Sequence, residues 1–262
     1  MHSKAQKLEA FSRLLDIMDE LREKCPWDKK QTFESLRHLT IEETYEMSDA
    51  IIQGNLTELK KELGDVLLHI VFYARIASED QHFDIGHVIH SLCDKLIVRH
   101  PHIYGDVKAE TEEQVKENWE QIKLKEGNKS VLSGVSKGTP SLVKALRMQE
   151  KAAQVGFDWE TAEQVWGKVE EEMNEFKDEL KAENQQKAQE EFGDLLFALV
   201  NLARKNGLNP DDALEYTNQK FQKRFMYIEE KAKDAGKNLT DMSLDEMDAI
   251  WNQAKTKPDL AN

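Results

Sequence analysis

The sequence has few of the residues that interrupt helices or form tight turns. Its 262 residues include 12 glycines and 5 prolines. Charged residues make up 33% of the chain and hydrophobic residues 39%, which is low but enough for a globular core. This composition favours helices and argues against a β-sandwich or a Rossmann fold.

Cysteines and long apolar runs are also scarce. Cys25 and Cys93 are the only cysteines, and their positions have no metal-ligand spacing, so we expect reduced, structural thiols. No apolar run approaches the roughly 18 residues of a membrane span. The N-terminal stretch is amphipathic with acidic residues throughout, unlike a signal peptide. We therefore expect a cytoplasmic protein without a membrane partner.

Positive charge is in deficit. The chain has 36 lysines and arginines against 50 aspartates and glutamates, a net charge of −14. Such a chain binds nucleic acid poorly, because binding to the phosphate backbone relies on basic side chains. A polyphosphate ligand would need a cation between itself and the protein.

An internal repeat organises the acidic residues. The text IEETYEMSDAI (41–51) and KELGDVLLHIVFYAR (61–75) returns as VEEEMNEFKDEL (169–180) and EEFGDLLFALVNLAR (190–204). Each acidic residue of the first copy has a counterpart 129 positions later. The pairs are Glu42 and Glu171, Glu43 and Glu172, Glu46 and Glu175, Glu62 and Glu191, and Asp65 and Asp194. A composite pattern kept at one offset indicates duplicated helical modules.

The repeat, and the glycine-containing stretch between its two copies, predict an all-α protein of two tandem helical-bundle modules. The polar stretch KEGNKSVLSGVSKGTPS holds three glycines and interrupts the helical periodicity. We predict an N-terminal module over residues 1–124, a linker over 125–141 and a C-terminal module over 142–262. Gly64 and Gly193 lie within segments of helical periodicity, where glycine is unfavourable. Their presence in both copies predicts that a neighbouring helix approaches closely.

The spacing of the carboxylates indicates a cation site. Residues three or four apart share a helix face, so two packed helices can bring four carboxylates into one cleft. Like charges about 4 Å apart repel by about 4 kcal/mol at an effective dielectric near 20, and oxygen ligands alone suit Mg²⁺ or Mn²⁺. The alternatives are a solvated acidic face and a di-iron bundle. The second would use Glu79 and His82, a pair with no counterpart in the second module.

At this point the sequence resembles the MazG family of nucleoside triphosphate pyrophosphohydrolases in its two-module form. The resemblance covers most of the chain. It rests on CPWDKKQTF (25–33), IEETYE, ELGDVLLHIVFYAR, RHPHIYGD (99–106), VGFDW (155–159), EEEMNE and EEFGDLLFALVNLAR. It implies the all-α fold of the NTP pyrophosphatases, a homodimer, a divalent metal, and cleavage of NTPs and dNTPs to monophosphate and pyrophosphate.

The resemblance also implies roles for the acidic residues. The Mg²⁺ ligands, with Mn²⁺ as a possible substitute, are Glu172, Glu175, Glu191 and Asp194. Glu171, with Glu172, is assigned a catalytic, water-orienting role. A second, weaker site would use Glu43, Glu46, Glu62 and Asp65.

The neighbours of the two acidic sets differ and favour the second module as the catalytic one. Where it has Lys168, Lys187, Asn201 and Lys223, the first has Leu39, Glu58, Phe72 and Val98. The candidate substrate-binding residues are Lys168, Glu171, Lys187, Glu190, Asn201, Lys220, Lys223, Arg224 and Trp251. The leading interpretation is an enzyme. The alternatives are a regulatory nucleotide-binding module and a relative acting on a special substrate such as phosphoribosyl-ATP or a modified dNTP.

Overall fold

The structure, a computed structural model, describes residues 1–111, 114–115, 118–119, 122, 130–257 and 260. Over these ranges the regular elements are helices, and no strand occurs. The all-α prediction is therefore confirmed. The chain divides into two compact units, Met1–Trp119 and Glu120–Asn262. Part of the predicted linker, 125–129, lies outside the described residues, and the rest contains a short 3-10 turn at Val131–Gly134.

Five helices of the first unit have both ends within the described residues. They are α1 (Lys4–Lys24), α2 (Phe33–Ile52), α3 (Leu56–Glu79), α4 (Ile85–Arg99) and the single turn α5 (Pro101–Tyr104). Serine, threonine and asparagine side chains cap the first three, and Asp84 caps α4; each accepts hydrogen bonds from free N–H groups of a first turn.

Five helices of the second unit lie within the described residues. They are α6 (Ser141–Gln154), α7 (Ala162–Lys181), α8 (Gln185–Lys205), α9 (Pro210–Asp234) and α10 (Leu244–Lys255). The pair α7 and α8 matches α2 and α3, since Thr161 and Asn184 cap them as Thr32 and Asn55 cap their counterparts.

The two units differ in how their hairpins are filled. In the first, α1 lays Met18 against Phe72 and Val71 of α3, which are 1%, 2% and 2% exposed. In the second, the buried cluster along α7 and α8 consists of smaller side chains, namely Val165, Val169, Ala198 and Leu202. Smaller side chains leave space beside the hairpin, and that space is where the site described below lies.

The prediction that a neighbouring helix of the same chain approaches Gly64 and Gly193 was wrong. A Cβ built on Gly64 or Gly193 meets nothing within 4 Å, so no helix of the described chain approaches there. The apolar side chains beside these glycines are exposed instead: Leu63, Leu67 and Ile70 on α3, and Phe192, Leu196 and Leu199 on α8.

Candidate active site

The hairpin of α7 and α8 gathers three of the predicted carboxylates. Ligand oxygens of Glu172, Glu175 and Glu191 lie within 4.8 Å of one another. Glu172 is 5% exposed, Glu191 is half-buried, and Glu175 is exposed. One turn after Glu191 on α8, Asp194 is near enough to act on the charge of Glu191.

The electrostatics of this cluster favour a bound cation. Burial raises the pKa of Glu191, and the charges of Glu175, Glu172 and Asp194 raise it further, because each neighbour disfavours another negative charge. The oxygens include no histidine or cysteine, and such a hard donor set suits Mg²⁺ or Mn²⁺. The residues present therefore fit a divalent cation.

One lysine is built into the cluster. The Lys168 ammonium lies 2.6 Å from Glu172 Oε1 and 2.9 Å from Glu171 Oε1. These two bonds raise the pKa of Lys168, so it remains charged. Glu171 is more than half exposed while Glu172 is buried. Lys168 thus forms ion pairs with both the exposed carboxylate of Glu171 and the buried carboxylate of Glu172.

A cavity of about 690 Å³ opens beside the carboxylates, within the 300–1,000 Å³ typical of small-ligand sites. Aromatic and aliphatic side chains form most of its wall, among them Phe157, Trp159, Val165 and Phe197. Glu172, Asp194 and Lys168 are among the charged residues of the lining. The arrangement suits a ligand with an apolar ring at one end and negative charge at the other.

An ion-pair network fixes Asn201 at the wall. Arg204 donates from Nε and Nη2 to Asn201 Oδ1 at 3.1 and 2.7 Å. The same guanidinium pairs with Asp158, whose carboxylate also contacts Lys205 at 2.9 Å. Burial would raise the pKa of Asp158, but the bonds from Arg204 and Lys205 outweigh it and lower that pKa. The network ties the α6–α7 loop to the end of α8.

Some of these wall residues were not identified as site residues from the sequence. Asp158 and Trp159 stood only in the VGFDW motif, and Gln149 and Leu132 carried no signal. They come from the loop before α7, from α6 and from the turn that precedes α6. Their placement depends on tertiary packing that the repeat does not encode.

The predicted substrate-binding residues fall into two groups. Lys168 and Asn201 line the cavity, and Glu171 bonds to Lys168. Lys187 instead lies 3.8 Å from Glu179, and Glu190 is exposed. Trp251 of α10 packs 5.3 Å from Phe221 and holds the Arg224 guanidinium 5.6 Å above its ring. With Lys220 and Lys223, these side chains form a separate basic and aromatic patch on α9 and α10.

The first unit has the same carboxylates, but a buried phenylalanine stands where the second unit has Asn201. Oxygens of Glu43, Glu46 and Glu62 lie within 4.8 Å of one another, and burial and Asp65 raise the pKa of Glu43. Phe72 occupies the position of Asn201 and is 2% exposed.

A polar cluster lies beside Phe72. Thr40 Oγ1 lies 2.6 Å from both His69 Nδ1 and Tyr73 OH, and His69 is 7% exposed. His69 is outside the set of clustered ligand atoms. The space that is open in the second unit is filled here.

The di-iron alternative finds no support. Glu79 Oε1 accepts from Arg22 Nε at 2.8 Å and from Arg75 Nη1 at 3.2 Å, which lowers the pKa of Glu79. Its carboxylate is therefore engaged in an ion-pair network. In the described part of the chain, the clustered ligand atoms are all glutamate oxygens.

No described helix is long and apolar enough to cross a membrane.

The MazG nucleotide pyrophosphohydrolase domain matches the chain twice, over residues 31–104 and 160–227. A nucleoside triphosphate pyrophosphohydrolase of Escherichia coli K12 is 41% identical over 257 residues, covering 95% of this chain and 98% of that protein. A Thermotoga maritima relative named nucleoside triphosphate pyrophosphohydrolase/pyrophosphatase MazG is 44% identical over 250 residues, covering 94% and 95%. A solved mazG-related protein from T. maritima covers 43% of this chain and 98% of its own, at 28% identity and a TM-score of 0.39.

Proposed function

This chain belongs to the MazG family of nucleotide pyrophosphohydrolases, and from that premise we propose where and how it acts. It is an enzyme that hydrolyses nucleoside triphosphates. We place the reaction in the second unit, with NTPs and dNTPs as substrates and nucleoside monophosphate and pyrophosphate as products. The observation that carries this assignment is the 690 Å³ cavity beside the cluster of Glu172, Glu175 and Glu191.

The proposed Mg²⁺ ligands are Glu172, Glu175, Glu191 and Asp194, with Mn²⁺ as a substitute. When bound, the cation neutralises the triphosphate and polarises the phosphorus that is attacked. The carboxylates contribute a partly buried site of like charges, in which burial and the neighbouring carboxylates raise the pKa of Glu191.

The remaining polar groups orient the substrate and the water. Glu171 is exposed and accepts a hydrogen bond from Lys168, and its solvent-facing carboxylate is proposed to orient and deprotonate a water molecule. Lys168 balances the charge of Glu171 and Glu172 and offers positive charge to phosphate. Such preorganised charges stabilise the phosphoryl-transfer transition state because they need no reorganisation during the reaction.

The cavity wall is proposed to hold the base. Phe157, Trp159 and Phe197 offer faces and edges against which a flat ring can pack. Lys187, Glu190, Lys220, Lys223, Arg224 and Trp251 remain proposed substrate contacts. Their support is the sequence pattern, and none of them is among the residues that line the cavity.

The first unit is proposed to bind a cation weakly at Glu43, Glu46, Glu62 and Asp65 and to serve packing or regulation. Phe72 and His69 are 2% and 7% exposed. They stand at the positions of Asn201 and Ala198, which line the cavity of the second unit. We therefore expect a triphosphate not to bind there as it does in the second unit. This observation favours a regulatory or structural role for that unit over a second reaction centre.

A homodimer is also proposed. Both units expose three apolar residues at matching positions, Leu63, Leu67 and Ile70 on α3 and their counterparts on α8, at 38–51% of their surface. A second copy of the chain is the proposed occupant of these faces, since most oligomers are symmetric assemblies of identical chains. The cysteines are free, which fits a reducing cytoplasm.

The direct test is a product assay. The purified protein is incubated with each NTP and dNTP in Mg²⁺, and products are separated by anion-exchange chromatography. The proposal expects monophosphate and pyrophosphate in equal amounts, and none in excess EDTA. Nucleoside diphosphate with orthophosphate would contradict the cleavage position, and turnover in EDTA would contradict the metal role.

A further inference from the structure

Gln149 has a buried hydrogen-bond acceptor that the chain leaves unused. The side chain is 6% exposed and lines the cavity of the second unit. Its Nε2 donates to the Phe197 carbonyl at 2.8 Å, whereas Oε1 is buried without a partner among the described residues. A buried acceptor without a partner is costly, so its presence in a cavity wall points to a ligand that donates to it.

The orientation of this amide is determined by its partner. The Phe197 carbonyl can only accept, so the NH₂ of Gln149 must face it. Rotating the amide by 180° would set two oxygens against each other. Oε1 is therefore the atom that is left for a ligand.

Asn201 offers the complementary group. Both bonds from Arg204 end on Asn201 Oδ1, and a guanidinium only donates, so the oxygen faces Arg204. Its NH₂ makes no hydrogen bond within the described residues and remains as a donor at the cavity wall. Phe197 and Asn201 are four residues apart on α8, about 6 Å along the helix axis. Gln149 and Asn201 both line the cavity, so the free acceptor and the free donor face the same ligand space.

Resting on the proposed function, we propose that Gln149 and Asn201 read the base as one acceptor and one donor in an otherwise mostly apolar pocket. Adenine can meet this pair with its amino group and a ring nitrogen, and cytosine can do the same. Guanine, uracil and thymine can meet it with a ring N–H and the neighbouring carbonyl. The pair therefore accepts every natural base and rejects a base that has no N–H.

The test compares two ligands that differ in one group. The α,β-methylene triphosphates of adenosine and of purine riboside share every feature except the 6-amino group, and neither can be cleaved at that position. Their dissociation constants are measured by isothermal titration calorimetry with Mg²⁺ and the full chain. We expect the purine riboside analogue to bind about ten- to a hundredfold more weakly, the usual cost of leaving a buried acceptor unpaired.

Two variants make the test specific to Gln149. Gln149→Met keeps the volume and removes the acceptor, so the ratio of the two dissociation constants should fall to about one. Gln154→Met makes the same change at an exposed position of the same helix and should leave the ratio as in the wild type. Circular dichroism melting curves check that both variants fold. If Gln149→Met does not fold, the wild-type ratio alone decides.

The outcomes separate this inference from the proposed function. Equal binding of the two analogues by the wild type would overturn the reading of the base and leave the proposed function standing. A wild-type preference that survives in Gln149→Met would assign the reading to another residue. Absence of binding of either analogue would overturn both, because the cavity would then not be a triphosphate site.

Discussion

Phe72 and Asn201 occupy equivalent positions of the two hairpins, 129 residues apart. One is a core side chain, 2% exposed, and the other lines a cavity. The exchange Asn201→Phe should fill the cavity and lower kcat/KM for NTP hydrolysis at least about 100-fold, since small misplacements of substrate have effects of that size. Mn²⁺ binding, followed by electron paramagnetic resonance, should persist because the carboxylates are untouched.

A substitution at Phe72 tests whether this residue serves the stability of the first unit and not catalysis. Phe72→Ala removes a buried ring from the cluster of Met18, Leu36 and Val71 and should reduce the free energy of unfolding of the first unit by about 3–5 kcal/mol. Guanidinium denaturation measures this. At a temperature where the variant is folded, kcat for NTP hydrolysis should change less than about twofold. A large loss of kcat would show that the units do not act separately.

The raised pKa of Glu191 predicts how stability depends on pH. Burial and the neighbouring carboxylates raise this pKa in the folded state above its ordinary value. Glu191 therefore contributes stability at low pH, when protonated, and that contribution is lost as pH rises through the folded pKa. In EDTA at pH 8, Glu191→Gln should melt at a higher temperature than the wild type, and the difference should vanish near pH 4.

Mg²⁺ should reverse the order of the melting temperatures of the wild type and Glu191→Gln at pH 8. It binds the ionised cluster, so it should raise the melting temperature of the wild type at pH 8 by more than at pH 5. Glu191→Gln should gain less than the wild type at either pH. The control substitution Glu170→Gln changes an exposed residue of α7. It should leave the pH dependence of the melting temperature and its increase with Mg²⁺ as in the wild type.

At the scale of the helices, the two hairpin turns offer a matched comparison. Gly54, between α2 and α3, has φ of +65°, and Glu183, between α7 and α8, has φ of +56°. Glycine adopts this left-handed conformation freely, whereas a side chain is strained by about 1 kcal/mol. Glu183→Gly should therefore stabilise the second unit by up to about 1 kcal/mol, and Gly54→Ala should destabilise the first by a similar amount, as measured by chemical denaturation. A Cβ at Gly54 meets no atom within 4 Å, so only the backbone strain changes.

The sequence was informative about the helices that the repeat contains. The spacing of Glu172, Glu175 and Glu191 was enough to predict that they meet, because helix periodicity and a short turn determine which side chains face each other. Residues contributed by other elements were beyond it. Gln149 reaches the site only because α6 packs on α8, and Asp158 only because its loop folds back onto Arg204.

At the scale of the whole molecule, the exposed apolar faces of α3 and α8 predict the oligomeric state. Light scattering at micromolar concentration should give about twice the chain mass of 30.3 kDa. Leu67→Glu with Leu196→Glu should shift the mass to that of one chain, because charges in an apolar contact oppose association. Exposed Glu20→Lys on α1 serves as a charge-change control. A wild-type mass near 30 kDa would contradict the proposed dimer.

The division of labour between the units is tested most directly by one matched pair of variants. Glu172→Gln and Glu43→Gln alter counterparts 129 positions apart, each in a cluster of three glutamates. Steady-state kinetics with Mg²⁺, and circular dichroism to verify folding, should show kcat/KM reduced at least about 100-fold for Glu172→Gln and less than about threefold for Glu43→Gln. Equal losses in both variants, or a loss confined to Glu43→Gln, would contradict the assignment of catalysis to the second unit.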